Sequence, residues 1–164
     1  MTGPSPAAYA AYLEACRDKI TEHGWMVQGV FPTVDQPGQG YSYTVGLTAV
    51  GQPELWVATL DPTIATRLLN SVASRFLDGA RFQPGDVLVL PDWSVRFKLR
   101  GPVVTDTVGV AHAVYPEESL LVWQVLWPDV DVVFPDEDGY DGARVPQELL
   151  PLVASGRPNL RVVE

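Results

Sequence analysis

Residues 24–47 read GWMVQGVFPTVDQPGQGYSYTVGL, and this stretch decides the fold. Two apolar-aromatic runs, 25–31 and 41–48, have the length and composition of strands. Between them, 32–40 carries two prolines and two glycines, which is turn chemistry. The stretch therefore predicts a strand, a loop tethered at both ends, and a second strand. A sheet begun this way needs further strands and a covering layer.

Those follow on both sides. Ser5-Pro6 is a helix start, and Tyr9, Leu13, Cys16 and Ile20 recur at helical spacing up to a stop at Gly24. The spacing predicts a helix over 6–22, with Glu14, Arg17, Asp18 and Lys19 towards water. Downstream, 54–59 reads as a third strand. Asp61-Pro62 opens a second helix with an apolar face of Ile64, Leu68, Leu69, Val72 and Phe76, closed by Gly79. A short strand is expected at 86–90. Residues 93–100 alternate with period two, placing Trp93, Val95, Phe97 and Leu99 on one side and Arg96, Lys98 and Arg100 on the other. Asp106-Thr107 is positioned to cap a short helix to Tyr115. The run 119–127 reads as a central strand covered on both faces.

After Pro128 the chain turns acidic and rich in proline and glycine, as expected of an ordered loop or flap over 128–142. A last helical turn is expected at 145–153, then an extended tail over 154–164. The whole is one domain over 1–164, with sheet and helices over 25–127. The class is α+β: a mainly antiparallel sheet of about six strands, with two longer helices and one short helix packed on it. Regular βα alternation is missing, which disfavours a dinucleotide-binding sheet.

The totals exclude several functions. A chain of 164 residues with 46% apolar and 19% charged residues can bury a core. Its net charge of −9 argues against nucleic acid and anionic membranes as partners. No run approaches a membrane span, and the first residues lack a signal-peptide pattern. A single cysteine, Cys16, fits a reducing cytoplasm.

Taken in order, Gly24-Trp25-x-Val27-Gln28-x-Val30-x-Pro32, Tyr43-Thr44-Val45-Gly46-Leu47, Pro53-Glu54-Leu55 and Gln124-x-x-Trp127-Pro128-Asp129 resemble a family of small bacterial proteins known as a domain of unknown function. Leu68-Leu69-Asn70 and Pro84-Gly85-Asp86 extend the likeness, which covers roughly residues 20 to 142. It implies a cytoplasmic protein and carries no activity. Val132-Val133-Phe134-Pro135-Asp136 departs from the family's segment after Trp-Pro-Asp.

No nucleophile motif is present. His23 suits the last turn of a helix, where a cation complements the dipole, and Cys16 falls on an apolar face. Asp136, Asp138 and Asp141 offer oxygen ligands around Gly139, but their spacing does not match a calcium loop, and no metal is expected. Gly38-Gln39-Gly40 lacks the helix that phosphate binding uses. The expectation is a binding or protein-interaction module without a cofactor, contacting a protein partner or small ligand; a homodimer is also open. The residues expected to make contact are Asp35, Gln36, Gln39, Tyr41 and Tyr43 around the first loop, the basic stripe Arg96, Lys98 and Arg100, and His112, Trp127 and Asp129. The alternative is an enzyme, or a small flavin- or nucleotide-binding domain, since residues 44–70 are similar in element order to half of a flavin-binding split barrel.

Overall fold

The structure is a computed structural model that describes residues 5–34 and 39–154. Helix α1, Pro6–His23, is capped by the Ser5 hydroxyl, which accepts from the Ala8 N–H at 3.1 Å. It ends at Gly24 with φ of 93°, a left-handed turn that only glycine adopts freely. Strands β1 (Met26–Val30), β2 (Tyr41–Val45) and β3 (Glu54–Ala58) follow, then helix α2 (Pro62–Leu77). Strands β4 (Val87–Leu88) and β5 (Phe97–Arg100), helix α3 (Gly109–Val114) and strand β6 (Val122–Leu126) complete the order.

The six strands form one sheet in the order β1-β2-β3-β6-β5-β4. Every neighbouring pair is antiparallel except β3 and β6, which run parallel with Leu55 opposite Trp123. The expected α+β class and mainly antiparallel sheet are therefore correct, and 119–127 does contain a central strand. All five residues of β6 are buried. Its side chains alternate between two cores: Trp123 and Val125 meet Leu68, Leu69, Val72 and Phe76 of α2, while Val122 joins Cys16 of α1 and Ala111 of α3. The molecule has three layers, with α2 on one face and α1 with α3 on the other.

Several boundaries differ from expectation for identifiable reasons. In α2 the buried face is Ala65, Leu68, Leu69, Val72, Ala73 and Phe76, so the helix is turned to cover Ala65 and leave Ile64 exposed. The strand expected at 86–90 is paired only at Val87–Leu88. That expected at 93–100 begins at Phe97, since Trp93 leaves the ladder to stand edge-on to Phe97 and donate to the Ser71 hydroxyl of α2 at 3.3 Å. Val95 is exposed as a result. Asp106 and Thr107 do not cap α3. Thr107 instead accepts from the Trp56 indole at 3.2 Å, and the N–H of Val110, in the first turn of the helix, donates to the Tyr43 hydroxyl at 3.0 Å.

Residues 145–153 form no helix. Pro146 and Pro151 remove backbone donors, and the segment lies extended against 102–104, with Val103 bridged to Leu152. Two buried glutamines hold it. Gln124 of β6 donates to the Glu148 carbonyl at 2.6 Å and accepts from the Leu150 N–H at 3.0 Å. Gln147 exchanges two bonds with the Trp127 backbone, at 3.1 and 2.9 Å, imitating a strand partner. Of the tail expected at 154–164, residues 155–164 lie outside the described residues.

Candidate functional site

The loop between β1 and β2 and the chain that follows β6 meet at one end of the sheet. Tyr41 lies opposite Ala58, so the loop between β1 and β2 emerges beside the end of β3. Strand β6, parallel to β3, ends next to it and passes into 127–149. These segments border a cleft of about 510 Å³ lined by Gln39, Pro135, Tyr140, Pro146, Gln147 and Glu148, among others.

The walls of the cleft are held by hydrogen bonds. The Gln39 side-chain carbonyl accepts from the Glu148 N–H at 3.2 Å and from the Thr59 hydroxyl at 3.4 Å, joining the first loop to the C-terminal segment. Thr59 has φ of 62°, a conformation that a β-branched residue rarely adopts, and its N–H donates to the Gly40 carbonyl at 2.8 Å. Tyr140 donates to the Val145 carbonyl and accepts from the Gln147 amide at 3.1 Å. Burial pushes the Tyr140 hydroxyl upward in pKa, partly opposed by the Gln147 bond.

The flap is organised by Asp129, which is only 6% exposed. Its carboxyl accepts from the N–H groups of Asp131, Val133 and Asp141, each at 2.9 Å. The bond from Val133, then that from Asp141, holds its pKa below the ordinary carboxyl value. The turn forces Val132 to φ of 65° and leaves it exposed. Asp136 and Glu137 meet Lys98 at 3.1 and 3.4 Å, tying the flap to β5.

Of the residues expected to make contact, the described part of the molecule places Gln39 in the cleft. Trp127 and Asp129 lie behind it as supports, the Trp127 indole donating to the Ala58 carbonyl at 3.0 Å. The basic stripe is divided: Lys98 meets the flap, Arg100 donates to the Leu150 carbonyl at 3.1 Å, and Arg96 is exposed. Tyr41 stacks on Trp56 and donates to the Thr107 carbonyl at 2.9 Å, on the face covered by α3. Tyr43 is buried there, its pKa pushed to about 12 by desolvation, and His112 is exposed on α3 itself. Asp35 and Gln36 lie outside the described residues. Asp136, Asp138 and Asp141 do not converge: no group of three or more potential metal-ligating side chains occurs among the described residues.

Sequence reasoning missed Tyr140, Gln147 and Glu148, although they sit among Pro135, Pro146 and Pro151, where an ordered turn is to be expected. It also missed the role of Glu54. This residue is fully buried at the start of β3, and its carboxyl accepts from the hydroxyls of Thr44 and Thr48 and the N–H groups of Gly46, Leu47 and Thr48. Nearby, the Tyr115 hydroxyl is buried without a hydrogen-bond partner, and burial first, then the Glu54 carboxyl, pushes it to about 12.

This architecture defines an α+β protein with a polar cleft at one end of its sheet. The chain belongs to the domain of unknown function DUF4262, whose model matches residues 19–141. No curated protein and no solved structure gives a match. The matched region includes Glu54 and its donors, Trp127, Asp129 and Tyr140, while Gln147 and Glu148 follow it.

Proposed function

We propose that this protein is a binding module that seats a small polar ligand in the cleft between Gln39 and the 135–149 segment. The carrying observation is the bridge by which Gln39 joins Glu148 and Thr59 across three separate parts of the chain. Such cross-linking fixes a recognition surface in advance and lowers the ordering cost of binding. The Tyr140 hydroxyl and the Gln147 amide are engaged with each other and with the backbone and shape the cleft, while the Glu148 carboxylate favours a ligand with a protonated amine. The net charge of −9 supports the same preference and argues against nucleic acid or an anionic membrane as partner. No described helix is long and apolar enough to cross a membrane. A cytoplasmic place and the absence of a cofactor belong to this reading.

The test is a thermal-shift screen of neutral and amine-bearing polar compounds. A ligand at a hundredfold excess over its Kd adds about 2.7 kcal/mol. That corresponds to a rise in Tm of roughly 5–10 °C for a domain of this size. The rise should vanish in Gln39→Ala and shrink in Glu148→Gln. Purified protein with visible flavin absorbance, or turnover of the bound compound, would replace this reading with the enzymatic alternative.

A further inference from the structure

A second recess of about 600 Å³ lies away from the cleft, where α1 and α2 flank the edge strand β1. Its floor is Trp25, Met26 and Val27. One wall carries Lys19 and His23, four residues apart and so on one face of α1. The opposite wall carries Thr66, Asn70 and Ser74, again at intervals of four, a row about 12 Å long at 1.5 Å per residue. A lysine and a histidine on one helix thus face a neutral hydroxyl-amide rail across an apolar floor.

The Trp25 indole donates to the Asn70 side-chain carbonyl at 2.8 Å, which fixes the ring against α2. The Asn70 amide nitrogen is left as a donor. Lys19 makes no ion pair among the described residues, whereas His23 lies 3.8 Å from the Glu22 carboxylate. Lys19 is exposed at the rim of the recess, a positive charge in a chain of 11 basic and 20 acidic residues.

We infer that this recess is a separate binding site for a small organic anion with a flat apolar body, a carboxylate or a phosphate ester. The anionic group lies against Lys19 and His23. The flat body rests on Trp25, and its polar edge meets Asn70 and the flanking hydroxyls. This combination of an apolar floor with few convergent polar groups is what small-molecule sites provide.

The experiment titrates ¹⁵N-labelled protein with AMP and with indole-3-acetate, and with adenosine and indole as uncharged counterparts. At least one anion should shift the Trp25 indole N–H and the Asn70 side-chain amide saturably, with its uncharged counterpart binding about tenfold more weakly. A response to AMP alone assigns a phosphate ligand, and a response to indole-3-acetate alone a carboxylate. Lys19→Glu, at an exposed position, should weaken binding about tenfold, and so should Asn70→Asp, which keeps the acceptor for Trp25 and removes the donor. Arg81→Glu, outside the recess, makes the same charge change and should leave binding as it was. Equal binding of charged and uncharged forms, unchanged affinity in Lys19→Glu, or shifts centred elsewhere would overturn the inference.

Discussion

Glu54 explains why Thr44, Gly46, Leu47 and Thr48 occur together just before it. A buried carboxyl needs several donors, and here five converge from one turn. Gly46 is required twice over: its φ is 134°, and a Cβ there would stand 2.7 Å from the Gly24 carbonyl oxygen and from the Trp25 Cα. Glu54→Ala should strand those donors in the core and cost roughly 3–5 kcal/mol, read from the urea midpoint. Tyr43→Phe is the milder case. It deletes the acceptor for the Val110 N–H, and the expected loss is about 1–2 kcal/mol, with faster amide exchange at the start of α3.

Among the elements, the flap and the C-terminal segment owe their order to side chains standing in for absent backbone pairing. Asp129 and Glu137 both have lowered carboxyl pKa values, through the N–H groups of Val133 and Asp141 for the first and of Phe134, then Lys98, for the second. A lowered folded-state value stabilises the fold fully above the unfolded carboxyl pKa, about 4, and that contribution disappears as pH falls through the folded-state values. The flap should therefore loosen below about pH 4 before the sheet melts, with amide exchange at Val133 and Asp141 rising first. Gln124→Leu preserves much of the volume in β6 but leaves the Leu150 N–H and the Glu148 carbonyl without their partner. Residues 147–150 should then gain exchange and protease sensitivity, and the Gln39 bridge to Glu148 should weaken with them.

For the molecule as a whole, the slowest amide exchange should fall in β3 and β6, the parallel pair at the centre of the sheet and buried along their full length. Their position also shows how far the sequence carries. Periodicity and end signals defined α1, α2, the first hairpin and the buried run of β6, because each is decided by residues a few places apart. Residues 93–96 and 145–153 were misjudged because decisive neighbours are distant in the chain. Trp93 is held by Ser71 and Arg67 of α2, and two glutamines 20 or more residues from their partners replace a strand ladder. Of the residues lining the cleft, only Gln39 was among those expected to make contact, as a polar residue on a tethered loop. By itself, the sequence determined the α+β class, the three helices, the acidic flap and the family pattern, all consequences of local patterning. Tertiary structure alone decided that β3 and β6 run parallel, that Glu54 is a buried hub, and that Gln39 meets Glu148 and Lys19 faces Asn70. Gln39 and Glu148 are 109 positions apart and Lys19 and Asn70 are 51, and only the closed packing of three layers brings them together; the donors to Glu54 lie 6 to 10 residues before it, but its burial is set by that same packing.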